Sequence, residues 1–542
     1  MKSLAIRLVG AALFAVLSAT ASAQDTAEQA AERFGSRSSV LDISLSPSGT
    51  KIAWIAPGPG HTDKLQVFDL NGSDPMKTIL FNTEINVDIS QCEWATDDDI
   101  ICGVYGVTRR QTDSLLLGFR RLVALDAAGK EVRVVSQQQS DLAMGFSQDG
   151  GTILALDVVG ETGKVLVTRD YLPESNTMTR RATSREGLGV DRLDIATLDR
   201  AVDVRPDERA TRYLADETGE VRFKERIPAD VRGYDSTRSI YMYRKAGENS
   251  WEMLEGVTLN GAPIEDFTPV SVSAARNSIY AYHPINGFRA LIEIPLDGSG
   301  AARLIASRDD VDVDGLVRIG RQRREVGVSY STEKRSVEYF DQELAKLARD
   351  LGQALPNQPL ISFAGSSSDE SKLLIIASSD TDPGTVYLYD KGTSQLELLL
   401  AMRDALVDVA MGQMQPITYP AADGTQIPGY LTLPAGSDGK MLPAVVLPHG
   451  GPAARDYWGF DWLVQFFTAR GYAVLQPNYR GSSGYGEAWF GRNGYQQWDV
   501  AIGDVNDAGR WLVSEGIANP DQLAIVGCSY GGHAALQSQV TD

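Results

Sequence analysis

The sequence predicts a multidomain chain: an N-terminal all-β propeller of seven or eight blades, followed by the N-terminal part of a smaller α/β domain. Three observations predict it. Short β-rich runs recur behind turn clusters from about residue 24 to residue 414. Aspartates that close a strand just ahead of a glycine return at intervals of roughly 40–50 residues or near multiples, the cadence of propeller blades. Near Pro416 the texture changes, and strands begin to alternate with helices.

Bulk properties bound the rest. At 542 residues the chain is longer than one compact core usually holds, so at least two domains are expected. Apolar residues make up 43% and charged residues 23%, values that place it among globular rather than disordered chains. A formal charge of −20 repels phosphate backbones, which argues against a nucleic-acid partner.

The first residues read as an export signal. Lys2 and Arg7 supply positive charge, residues 8–17 are apolar, and Ala21-Ser22-Ala23 offers small residues for cleavage. The apolar run is too short to span a bilayer as a helix. The expected mature chain starts near Gln24, carries no membrane insertion, and is periplasmic or secreted. That compartment permits disulfides. Cys92 and Cys102 flank the turn Thr96-Asp97-Asp98-Asp99, a placement that allows a bond across a hairpin and leaves two unbonded thiols as the equal alternative. Cys528 is expected to be a buried packing thiol.

In the β region, runs 51–55, 152–156 and 372–377 each follow a turn cluster: Ser46-Pro47-Ser48-Gly49, Ser147-Gln148-Asp149-Gly150 and Ser367-Ser368-Asp369-Glu370. Asp69, Asp126, Asp297 and Asp390 close further strands ahead of Gly72, Gly129, Gly298 and Gly392. Asp69 and Asp126 lie 57 residues apart, and Asp297 and Asp390 lie 93 apart, close to two units. Residues 24–414 therefore hold seven or eight units around a central channel. The clearest helical segment within them is 341–351. A pair of β-sandwiches is the competing architecture.

From residue 415 the order is hairpin, strand, helix, strand, helix, strand. Residues 416–419 and 426–433 bracket Asp423-Gly424 as a hairpin. Residues 444–447 form an apolar strand, 461–470 a helix ended by Gly471, and 472–476 a second strand. Trp498, Ile502, Val505, Ala508, Trp511 and Leu512 share one helical face. Residues 523–526 form a third buried strand, giving a mostly parallel sheet with covering helices.

That strand runs into Gly527-Cys528-Ser529-Tyr530-Gly531-Gly532, a Gly-x-Ser-x-Gly motif between a strand and a helix. A sharp strand-to-helix turn strains the serine backbone and leaves no room for side chains at the flanking positions, which glycine solves. The hydroxyl then stands at a helix N-terminus, where developing negative charge is favoured. His449-Gly450-Gly451-Pro452 follows the first apolar strand, where an oxyanion donor belongs in this layout. Asn478-Tyr479-Arg480-Gly481-Ser482 follows the second and leads into the Gly/Tyr-rich loop 483–486. Two roles stand open for Arg480, substrate contact or a structural ion pair.

The three motifs, in this order, resemble the prolyl oligopeptidase family of serine peptidases, in the branch of acylaminoacyl peptidases and dipeptidyl-peptidase-like enzymes. The resemblance is specific over residues 416–542 and architectural over the β region. It implies a propeller (24–414) capping an α/β-hydrolase domain (415–542), with the active site between them and access limited to short peptides. It further implies Ser529 as nucleophile, the Tyr530 and Gly451 backbone N–H groups as oxyanion donors, an acyl-enzyme intermediate, and no metal or organic cofactor.

The family's Asp and His are the departure. In this fold they follow the serine, and only thirteen residues follow Ser529. His61 and His283 lie in the β region, His449 in the glycine loop, and His533 one helical turn beyond Ser529. Asp542 ends the nucleophile helix. The expectation is a chain cut short after its nucleophile and nearly inert as given. Two alternatives remain: an esterase on the same elbow, and a propeller binding protein with a vestigial hydrolase domain.

Overall fold

The structure is a computed structural model. It describes residues 25–542 apart from 73–74, 85, 110–113, 137–142, 146, 178–179, 184, 230–234, 237 and 492–496. The export signal at 1–23 lies outside the described residues.

Seven sheets follow one another along the chain, over residues 42–81, 87–134, 153–207, 210–253, 258–306, 313–339 and 360–401. One strand of every sheet lines a single cavity of about 1000 Å³, through Ser44, Ser90, Ile153, Tyr213, Ser271, Arg318 and Phe363 respectively. The sheets are therefore blades arranged radially, seven of the seven or eight expected.

The aspartate cadence has a local cause. Asp69, Asp126 and Asp390 end the third strand of their blades, and Asp297 lies just past one. Each carboxylate accepts a backbone N–H two or three residues on, from Asn71, Ala128, Thr393 and Ser299 at 2.9 Å. These are Asx turns, which fold the chain back into the fourth strand. Asp194 does the same in blade three. The turn-cluster signal was less uniform. Ser46–Gly49 and Ser367–Glu370 separate first and second strands, whereas Ser147–Gly150 precedes Ile153–Ala155, the innermost strand of blade three.

Each blade draws its strands from one continuous stretch of chain, so among the described residues blades one and seven share no strand. Packing closes the ring instead. Ile52 and Trp54 bury against Leu374, Val386 and Leu388, and Ser368 N–H donates to the Pro47 carbonyl at 2.8 Å. Cys92 and Cys102 form a disulfide between paired strands of blade two.

Among the described residues, two α-helices were not expected from the sequence, Ala27–Gly35 and the short Glu487–Gly491. Ala27–Gly35 forms a helix, capped by Thr26, that packs Phe34 edge-on to Phe466 of the α/β domain at 6.2 Å. The 341–351 prediction corresponds to Gln342–Ala354, with the Asp341 carboxylate accepting N–H bonds from Glu343 and Leu344 as N-cap.

The α/β domain has one five-stranded sheet, in the order Met414–Pro420, Gln426–Thr432, Ala473–Pro477, Leu442–Val446, Ala518–Ile525. The first two strands are an antiparallel hairpin, and the last three run parallel. The helices Trp462–Ala469 and Trp498–Ser514 cover it, and Ile502, Val505, Ala508 and Leu512 bury against Val446 and Leu475. Trp498 does not join them. It is 40% exposed, as the first residue of its helix.

Candidate active site

Ser529 lies where Ala518–Ile525 turns into the helix Tyr530–Thr541. Its backbone adopts φ 56° and ψ −119°, conformations that L-residues avoid. The flanking glycines are required by contact distances. A Cβ on Gly527 would sit 2.3 Å from the Gly531 carbonyl carbon, and one on Gly531 would sit 2.1 Å from the Pro448 oxygen. The turn thus packs backbone on backbone, and the Ser529 side chain is left exposed.

Leu442–Val446 is the parallel neighbour of the nucleophile strand, so the loops after both strands emerge side by side. A Cβ on Gly450 would lie 3.9 Å from Ser529 Oγ, which measures how closely the glycine loop passes the hydroxyl. Gly451, Ser529, Tyr530, His533 and Trp498 line one pocket of about 420 Å³. The three sequence-predicted site residues are therefore together. His533 and Trp498, whose rings meet edge-on at 6.3 Å, were not expected there. Trp498 carried an apolar-face signal that hid its position at a helix start. Cys528 is exposed, a correction to the buried thiol expected, and it follows the strand at the edge of the sheet.

His449 is occupied structurally. Its Nδ1 donates to the Gly450 carbonyl at 2.7 Å, its Nε2 pairs with Ser482 Oγ at 2.8 Å, and its ring stacks on Tyr479 at 4.5 Å. Burial, helped by the nearby Arg455 charge, lowers its pKa from 6.5 to about 4. The imidazole is therefore neutral at pH 7. NMR of the ring protons is expected to show His449 still neutral at pH 5.5; a midpoint near 6.5 would contradict the packing. The unfolded chain takes up this proton near 6.5 while the fold refuses it, so the residue's contribution to stability falls as pH drops from 6.5 towards about 4.

Arg480 is engaged in ion pairs. It donates to Asp504, which is 1% exposed, at 2.6 Å and to Asp423 at 2.5 Å. The Asp504 carboxylate also accepts the Arg480 backbone N–H at 2.9 Å. Of the two roles left open, the structural one matches this geometry. The loop beyond it docks on the propeller: Gly484 carbonyl accepts from Asp312 N–H at 3.0 Å, and Glu487 N–H donates to Gly287 carbonyl at 2.7 Å.

Arg455 and Asp456 were missed by sequence reasoning. Arg455 is 6% exposed and bonds the Ser331 carbonyl of blade six at 3.1 Å and Tyr485 hydroxyl at 2.8 Å. Asp456 and Asn478 exchange backbone-to-amide bonds of 2.8 and 3.1 Å. Burial, with Asp461 nearby, pushes the Asp456 carboxyl up to about 7. These contacts tie the glycine loop to both the sheet and the propeller.

Residues 458–541 match the prolyl oligopeptidase family model. Among curated proteins, the chain is 28% identical over 357 residues to dipeptidyl aminopeptidase BIII of Pseudoxanthomonas mexicana, covering 64% of this chain and 50% of that protein. It is 36% identical over 190 residues to dipeptidyl peptidase family member 6 of Caenorhabditis elegans, covering 31% of this chain and 26% of that protein. The chain thus spans half or less of the length of these relatives. Among solved structures, a Mycobacterium tuberculosis puromycin-hydrolyzing peptidase superposes with a TM-score of 0.61 at 16% identity, covering 96% of this chain and 78% of that one. A prolyl endopeptidase superposes with a TM-score of 0.64 at 14% identity, covering 95% and 72%. These two likenesses establish the propeller-plus-α/β-hydrolase fold.

Proposed function

The chain belongs to the prolyl oligopeptidase family, and on that premise we propose that it is a dipeptidyl-peptidase-like serine peptidase acting on short peptides. The observation that carries the reading is the strained Ser529 hydroxyl, exposed beside the Gly450-Gly451 loop. In the proposed reaction Ser529 Oγ attacks the scissile carbonyl while a general base takes its proton. The oxyanion forms against the Tyr530 and Gly451 backbone N–H groups, the amine leaves with a proton, and water hydrolyses the acyl-enzyme. Similarity to a dipeptidyl aminopeptidase over 64% of the chain supports dipeptide release over other peptidase modes.

Among the described residues, neither histidine near Ser529 is placed to take this proton. Both nitrogens of His449 are bonded elsewhere, and His533 rides on the nucleophile helix against Trp498. Residues 25–542 alone are therefore read as hydrolytically inert. An exported location is part of the proposal, and the Cys92–Cys102 disulfide supports it.

The test uses protein expressed from the whole open reading frame and a panel of dipeptidyl anilides, acyl-aminoacyl anilides, internally quenched longer peptides and aryl esters. Dipeptide release with the highest kcat/KM is expected. A preference for aryl esters would replace the reading with an esterase, and inertness towards the whole panel would favour a binding protein.

A further inference from the structure

Arg321 sits in the turn between Val313–Ile319 and Arg324–Ser331 of blade six. Its guanidinium leaves that blade. Nη1 donates to the Trp94 carbonyl and Nη2 to the Ala95 carbonyl, both on blade two. Nε and Nη2 donate to the Asp157 carboxylate, just past the inner strand of blade three, at 3.0 and 2.9 Å. In a ring of seven, blades two and three both lie on the far side from blade six. A side chain that touches all three must cross the axis. Its side chain is 4% exposed, so the crossing is packed.

The crossing lies at the outer end of the channel. Trp94, Ile319 and Asp157 are at or beyond the C-terminal ends of their inner strands. The α/β domain docks at the opposite ends, through Asp312 just before Val313 and through Glu333 carbonyl, which accepts from Tyr430 hydroxyl at 2.9 Å. Glu93 lines the same cavity. Burial is the main cause that pushes it up to about 7, with Asp42 adding to it and Arg321 and Arg323 opposing.

We propose that Arg321 is a specificity-determining strap: it closes the outer mouth of the propeller, so the channel is a blind chamber and peptides reach Ser529 beside the α/β domain rather than through the disc. The consequence for substrates rests on the peptidase reading; the closure itself does not. A blind chamber limits how much chain can extend beyond the scissile bond, which favours short peptides.

Thiol accessibility tests the closure without any turnover, so failure of the peptidase reading leaves the result untouched. Ala364 lines the channel in blade seven and is exposed to it. In a Cys528→Ser background, Ala364→Cys is expected to react readily with N-ethylmaleimide and slowly with a polyethylene-glycol maleimide. Adding Arg321→Ala is expected to raise the rate with the large reagent roughly tenfold or more, since labelling no longer waits on an opening fluctuation. Equal rates with and without Arg321, or rapid labelling by the large reagent with Arg321 in place, would overturn the proposal. If Arg321→Ala does not fold, Asp157→Asn serves, since it removes the carboxylate and spares the two carbonyl bonds. A several-fold acceleration is expected, and no change overturns the proposal.

Discussion

Ser529→Ala is expected to lower kcat for peptide hydrolysis by a factor on the order of 10⁶ in protein from the whole reading frame, the size of effect seen when a serine nucleophile is removed. The companion prediction separates chemistry from folding. Ser529 is held at φ 56° and ψ −119°. Alanine has the same steric limits there as serine, so Ser529→Ala leaves stability nearly unchanged. Glycine accepts that backbone without strain, so Ser529→Gly is expected to gain about 1–3 kcal/mol while also being inactive. Urea unfolding of residues 25–542 and steady-state kinetics check the two halves. A Ser529→Gly variant no more stable than the parent would mean that the elbow stores no strain.

Gly531→Ala is expected to be the most damaging small substitution in the domain. Its Cβ would sit 2.1 Å from the Pro448 oxygen and 3.2 Å from the His449 oxygen, both main-chain atoms that cannot swing aside. Relief requires the nucleophile helix to shift away from the glycine loop. The expected loss is about 3 kcal/mol or more, at the upper end for overpacking. Gly503→Ala is the control. Gly503 lies inside the helix Trp498–Ser514, with nothing within 4 Å of an added Cβ, so that substitution is expected to gain roughly 1 kcal/mol from helix propensity. Equal effects of the two in denaturant unfolding would contradict the close approach at the elbow.

The parts that sequence made legible are those with local causes. Gly527 and Gly531 are dictated by atoms a few residues or one strand away, and Asp69, Asp126 and Asp390 make Asx turns with their immediate successors. The blade count blurred because the blades are unequal. Blade six has three strands, with the helix Gln342–Ala354 following it, and blade five carries the extra strands Thr258–Leu259 and Ala262–Pro263. The spacing between repeats stretches accordingly.

Illegible features are those set by distant partners. Arg321 meets Trp94 and Asp157 across more than a hundred residues of sequence, and Arg480 finds Asp423 and Asp504 on two different elements. A buried ion pair leaves no periodicity in the sequence around either partner. Trp498 and Cys528 were misjudged for a related reason. Burial at a helix start or at a sheet edge depends on whether another element covers it, which the local pattern does not record. The Ala27–Gly35 helix is similar, since its two buried residues, Ala30 and Phe34, mark too narrow a stripe to stand out.

The central claim is that Ser529 forms the acyl-enzyme, and covalent capture addresses it most directly. Protein from the whole reading frame, treated with a dipeptidyl phosphonate ester and digested, is expected to carry one adduct, on the peptide containing Ser529, and the Ser529→Ala variant is expected to carry none. An adduct on another residue, or one that persists in Ser529→Ala, would contradict the account.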